Sequence, residues 1–225
     1  MILIASLLAL LLTPAPQQQA MTTYQMVFLN KGPNYDAVSK SADAERIRQQ
    51  HVAGLVALNN RKVGLLFGPL LDAGELRGIL VLDVPDAGAA ASAVADDPYV
   101  KIQAMTVTVR PWLGPKALFN PPAQGQELEQ LILGFLMRGP NTSQTGAEAQ
   151  EIQKGHLAYM TKLREEGKLL VAGPFMDDSP MRGIVIYRVA TVDDAKALAA
   201  EDPAVKAGRL VVDAHPWMTF KGILK

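Results

Sequence analysis

The sequence predicts an α+β fold: two ferredoxin-like βαββαβ repeats packed sheet to sheet as an intrachain dimeric α+β barrel. Three observations carry that expectation. First, the chain repeats itself at an offset of 105 residues. His51 falls on His156, Gly68-Pro69 on Gly173-Pro174, Arg77-Gly78 on Arg182-Gly183, Asp97-Pro98 on Asp202-Pro203 and Pro111-Trp112 on Pro216-Trp217. From His51 to Trp112 no gap is needed, and about 20 of the 62 positions are identical. Second, each copy reads strand, helix, strand, strand, helix, strand, the order of a split βαβ unit. Third, the middle strands Ile79-Leu80-Val81-Leu82 and Ile184-Val185-Ile186-Tyr187 are apolar at nearly every position. A sheet with one face in water alternates. Helices cover only one face here, so the other needs a cover, and the sheet of the other copy is the simplest one.

The elements follow in order. Tyr24–Leu29 and Leu131–Met137 read as first strands, each stopped by a Gly-Pro-Asn turn, Gly32-Pro33-Asn34 and Gly139-Pro140-Asn141. The offset is 107 there, so the first copy carries two extra residues in the following loop. Ile47, His51, Leu55 and Leu58 recur at helical spacing, as do Ile152, His156, Met160 and Leu163. Val63–Phe67 and Lys168–Ala172 are short strands ended by Gly-Pro, and each leads through a turn-rich stretch into the next apolar run, Gly78–Leu82 or Gly183–Tyr187. Asp86–Asp96 and Val192–Glu201 are alanine-rich helices that Asp-Pro is expected to terminate. Met105–Val109 and Leu210–Ala214 are last strands, and Trp112 and Trp217 are expected to pack at the module ends.

Residues 1–20 differ from the rest. Ile2–Leu12 is an unbroken run of apolar and small residues, too short to span a bilayer. With Pro14, Pro16 and Ala20 behind it, it reads as a secretory signal peptide cleaved after Ala20. The expected location is periplasmic or secreted, or cytoplasmic if Met21 is the true start. The expected domains are 21–119 and 127–225, joined by a linker at 120–126 within the proline-rich stretch Gly114–Gln126. The chain carries 22 basic and 22 acidic residues and no cysteine. No basic stripe supports nucleic-acid binding, and disulfides, thiol catalysis and cysteine-bound metals are excluded. No membrane association is expected once the leader is removed. The two sheets satisfy each other within the chain or pair again in a homo-oligomer.

Tracing each element's direction brings four repeated features to one edge of each half: the Gly-Pro-Asn turn, the His helix, the Gly-Pro hairpin with its Arg, and the Asp-Pro terminus. His51 and His156 lie on the apolar stripes of their helices and point inward. Each is a buried, satisfied histidine, or a base whose tautomer and basicity are set by Asp97 or Asp202. The carboxylates are expected at helix C-termini, where the dipole disfavours them. Arg77 and Arg182 open the third strands at the same edge. Each is a solvated hairpin arginine or a bidentate holder of a substrate carboxylate or enolate. Asp72 and Asp177 read as turn formers. His215 falls on Arg110, so it carries no chemistry common to the copies. Three histidines without metal-ligand spacing argue against a metal site.

Both copies resemble the YCII-related (YciI-like) family. The second is the closer match, through His156-Leu157, Glu166-Gly167-Lys168-Leu169, Gly173-Pro174-Phe175, Asp177-Asp178, Arg182-Gly183 and Asp202-Pro203-Ala204-Val205 with Gly208. The first departs from the pattern at Asn59-Asn60-Arg61-Lys62, at Leu70 in place of Phe175 and at Gln103 in place of Gly208. The resemblance implies a dimeric α+β barrel fold and a His–Asp active site, His156 with Asp202 and His51 with Asp97. It also implies acid–base chemistry of the lyase, isomerase or dehydrohalogenase type, without metal or organic cofactor, on a small oxygenated or aromatic substrate. The alternative is a non-catalytic module for small-ligand binding or assembly.

Overall fold

Each first strand is buried at six consecutive residues, 24–29 and 131–136, which calls for cover on both faces. In the computed structural model, which describes residues 20–116, 118–120 and 126–224, both become the second-from-edge strand of a four-stranded antiparallel sheet. The first copy runs β1 (Met21–Lys31), α1 (Tyr35–Ser39), α2 (Ala44–Asn60), β2 (Gly64–Pro69), β3 (Leu76–Leu82), α3 (Ala87–Val94), α4 (Pro98–Lys101) and β4 (Met105–Pro115). The second runs β5 (Leu128–Arg138), α5 (Gly146–Glu165), β6 (Leu169–Pro174), β7 (Met181–Tyr187), α6 (Val192–Ala200), α7 (Pro203–Lys206) and β8 (Leu210–Phe220). The strand orders are β2-β3-β1-β4 and β6-β7-β5-β8. This is the predicted split βαβ unit, twice. Apart from Ala20, the proposed signal peptide lies outside the described residues, as do residues 121–125 of the linker.

Each sheet buries two faces. The outer faces take the helices: Val27, Leu29, Leu80 and Leu82 pack on Leu55 and Leu58, and Ile132, Val185 and Tyr187 pack on Met160 and Leu163. The inner faces meet each other in one cluster that joins Met26, Phe28, Ile79 and Val81 to Leu133, Phe135, Ile184 and Ile186. That double burial explains why the middle strands do not alternate.

The last strands run further than expected, past Val109 and Ala214 through Pro-Trp. β4 and β8 are edge strands of their own sheets, where proline's missing N–H takes nothing from the ladder. The tryptophans, expected at module ends, are instead fully buried at the seam between copies. Trp112 Nε1 donates to the Gly173 carbonyl and Trp217 Nε1 to the Gly68 carbonyl, both at 3.0 Å. Backbone bonds Leu71 N–H to Pro216 O (2.8 Å) and Met176 N–H to Pro111 O (2.9 Å) join each hairpin to the other copy's last strand. The repeated Gly-Pro pairs belong to this closure. A Cβ on Gly68 would collide with the Met218 carbonyl, and one on Gly173 with that of Leu113.

The Asp-Pro pairs also act differently from expectation. α3 and α6 end before them, at Val94 and Ala200. Asp97 and Asp202 start α4 and α7: each is an N-cap with proline at the next position. The carboxylate therefore stands where backbone N–H groups need an acceptor, not where the dipole opposes it.

Candidate active site

α5 is amphipathic, and its inward stripe carries His156, Met160 and Leu163. One turn beyond α6, Asp202 caps α7 by accepting the Ala204 N–H through Oδ1 at 2.8 Å. Its other oxygen, Oδ2, lies 2.7 Å from Nδ1 of His156. Gly155 lets α5 approach closely: a Cβ there would stand 3.1 Å from the Pro203 ring. The first copy repeats the arrangement. Asp97 Oδ1 accepts the Tyr99 N–H at 2.9 Å, and Oδ2 lies 2.5 Å from Nδ1 of His51. An ionised carboxylate only accepts, so Nδ1 is the donor and Nε2 is the nitrogen turned away from the carboxylate. Asp202 is 2 % exposed, so the pair is oriented from the protein side. The Gly-Pro-Asn turns close over the same end: Asn34 Nδ2 donates to the Ile102 carbonyl (2.8 Å) and Asn141 Nδ2 to that of Ala207 (3.1 Å).

In front of the rings the copies differ. His156 opens into a pocket of about 650 Å³. Four arginines line it, Arg138, Arg164, Arg182 and Arg209, and no carboxylate does. Arg209 donates to the Gln144 carbonyl at 2.9 Å, and Arg182 only to the Ser179 carbonyl at 3.4 Å. None of the four forms an ion pair among the described residues. Thr142 and Ala204 complete the wall beside the dyad.

At the equivalent places the first copy has Tyr35 and Tyr99. The Tyr99 ring stands edge-on to His51, with centroids 5.2 Å apart. Burial pushes its phenol up, so it remains neutral over the working range. Arg77 is committed: Nε donates to Tyr35 Oη at 3.1 Å and Nη1 to the Asp72 carbonyl at 2.6 Å. The other three arginines have as counterparts Lys31, Asn59 and Ala104. Asn59 is buried and donates to the Gly64 carbonyl at 2.8 Å, and Ala104 is fully buried.

The structure thus brings His156 and Arg182 to one pocket, with Asp202 buried behind the His156 ring. It brings His51 to Asp97 and ties Arg77 elsewhere. Arg138, Arg164 and Arg209 were not singled out from sequence. For Arg164 and Arg209 the signal was available as a charge difference between aligned copies, against Asn59 and Ala104. Among the described residues no cluster of His, Asp and Glu is suited to hold a metal ion.

A model of the YCII-related domain matches residues 25–113 and again 134–217. The chain belongs to the YCII-related family. Its two YCII-related domains are the two sheets described above, a tandem duplication. No curated protein sequence matches the chain. Among solved structures it is similar to a heme-binding protein from Thermus thermophilus (10 % identity, 92 % of this chain and 94 % of that one, TM-score 0.53). It is also similar to a provisionally assigned chlorite dismutase (10 % identity, 88 % and 94 %, TM-score 0.54). A third is a provisionally assigned monooxygenase from Lactobacillus acidophilus (16 % identity, 90 % and 98 %, TM-score 0.50). At these identities the likeness establishes the YCII-related chain's dimeric α+β barrel fold and nothing about its ligands.

Proposed function

We propose that the second YCII-related domain performs acid–base chemistry on a small anionic, oxygenated substrate, with the His156–Asp202 pair as its proton-transfer group. The observation that carries this is a histidine held by a buried carboxylate at 2.7 Å and opening into a pocket lined by four arginines and no carboxylate. Asp202 holds the imidazole in one tautomer and orientation, so Nε2 takes a proton from carbon or hydroxyl. When carbon is the acid, its electron pair moves onto the adjacent carbonyl oxygen. The resulting enolate is an oxyanion, and the arginines supply donors to it and to a substrate carboxylate. Collapse of the enolate then reprotonates another carbon or expels a leaving group such as halide. Those outcomes are isomerase and lyase or dehydrohalogenase chemistry, and neither needs an external oxidant.

The test is hydrogen–deuterium exchange in D₂O, followed by proton NMR over 2-oxo acids, dicarboxylates and hydroxylated aromatic carboxylates. Wild-type protein should exchange at least one of them, and His156→Gln should not. If anions bind but none exchanges, the domain is a binding module instead. The apolar run Ile2–Leu12 supports a second proposal, export with removal of residues 1–20. Cell fractionation that finds the protein only in the cytoplasm would overturn it.

A further inference from the structure

A cavity of about 600 Å³ lies on the seam between the two domains, and the cations on its wall are already paired: Arg110 with Asp177, and His215 with Asp72 and Asp213. The pocket in front of His156 is the opposite case. Where its unpaired cations stand says more about its ligand than their number does. One wall is a single stripe of α5. Gln153, His156, Leu157, Met160, Thr161 and Arg164 lie three and four residues apart, so they share one helix face. From Gln153 to Arg164 that face runs about three turns, roughly 16 Å at 1.5 Å per residue.

Cations occupy both ends of this face. Three belong to one edge of the sheet: Arg138 ends β5 and pairs with Leu210, Arg209 precedes Leu210, and Arg182 lies near the start of β7. Arg209 ties that edge to the front of α5, donating to the Gln144 carbonyl (2.9 Å) and to Gln144 Oε1 (3.2 Å) just before the helix begins. Arg164 stands at the other end, about two turns past His156. Its neighbours do not answer it. Lys162 and Lys168 share Glu166, at 3.8 and 2.7 Å, and no carboxylate pairs with Arg164 among the described residues. A long side chain on a helix leans toward the N-terminus, so Arg164 reaches back over the turn that holds Met160, along the pocket it lines. Between the two ends the wall is apolar, formed by Leu157, Met160 and Phe175. The first domain has no such second end: Asn59, at the place of Arg164, is buried and donates to the Gly64 carbonyl.

We propose that the ligand of the second domain is a dianion, two anionic groups joined by an apolar, ring-sized body. One group lies on the sheet-edge arginines beside His156, the other on Arg164, and the body rests on Leu157 and Met160. A single carboxylate held at the sheet edge leaves Arg164 unanswered. Arg164 is thus a specificity-determining residue. This inference deepens the reading above, and rests on it for taking the His156 pocket as the substrate site.

The probes are 4-carboxyphenylacetate, a dianion at neutral pH, and 4-methylphenylacetate, which has the same shape and one charge. In calorimetric titrations of wild-type protein the dianion should bind about tenfold or more tightly, with intermolecular NOEs from its ring to the Leu157 methyls. Arg164 is exposed, so its replacement leaves the core untouched. Arg164→Gln should remove most of the preference. Equal binding of the two acids by wild-type protein would overturn the proposal, as would a preference that survives Arg164→Gln or NOEs that miss Leu157. If acids exchange protons in D₂O but two charges bind no better than one, the dianion is wrong and the acid–base reading stands. A preference for two charges without exchange of any acid overturns the acid–base reading and leaves the dianion standing.

Discussion

His51 meets Asp97 in the first domain as His156 meets Asp202 in the second, through the same pair of atoms and with the same helix cap behind the carboxylate. What stands before the ring differs. The first imidazole faces Tyr99, and the arginine of that copy, Arg77, is tied to Tyr35; the second opens into an arginine-lined pocket. Duplication kept the frame, because the cap, the Gly-Pro-Asn turn and the Gly-Pro seam each solve a folding problem in both copies. The pocket wall solves no such shared folding problem, and there the copies differ. The repeated His–Asp pair is thus partly architectural: in each half it pins a helix on the sheet to the one-turn helix before the last strand.

The sharpest way to break this comparison is to remove one imidazole at a time. His156→Gln should lower exchange of a substrate found in the D₂O screen by about 10²- to 10⁴-fold, and His51→Gln should leave it near wild type. Equal losses would mean that both domains act. Next comes the wall. Ala204→Tyr should close the second pocket and weaken anion binding, read by calorimetry, by about tenfold or more. Tyr99→Ala should open the first without conferring that binding, since Lys31, Asn59 and Ala104 do not replace the arginines.

The seam offers a smaller effect with a sign that differs between copies. Asp177 is held down to about 2 from its ordinary 3.8, chiefly by the Arg110 hydrogen bond. Its folded value lies below the unfolded one, so its stabilisation is present above about pH 4 and lost as pH falls toward 2. His215 runs the other way. Its folded value lies above the unfolded 6.5, so its contribution is full below that pH and disappears as pH rises through the raised value. In thermal melts across pH, Asp177→Asn should flatten the acid limb and Asp72→Asn the alkaline one.

The smallest effect concerns the backbone. Gly208 has φ +69°, and its counterpart Gln103 adopts φ +56° with a side chain. Gln103→Gly should stabilise the protein by about 1 kcal/mol in denaturant melts, and Gly208→Ala should destabilise it by a similar amount.

Much of this was readable before any coordinates. The offset repeat gave the element order, and the non-alternating Ile79–Leu82 and Ile184–Tyr187 required a second covered face. Direction counting alone brought His and Asp to one edge. Asp-Pro reads as a helix stop in the sequence, yet the same dipeptide caps the next helix. The residues between it and the following strand, Tyr99 to Ala104 and Ala204 to Arg209, are too few for periodicity to reveal a one-turn helix. Arg138, Arg164 and Arg209 were visible as letters but not as neighbours of His156, since they come from a strand end, a helix and a loop.

The sequence by itself determined the duplicated fold and the shared edge of each His and Asp, because hydrophobic period, turn residues and chain direction are local and each half states them independently. Only the tertiary structure decided that His156 opens into an arginine-lined pocket, and that Asp72 meets His215 and Asp177 meets Arg110 across the seam. Those outcomes depend on side chains 143 and 67 residues apart converging. Convergence of that kind is set by how the sheets pack, and no local pattern encodes it.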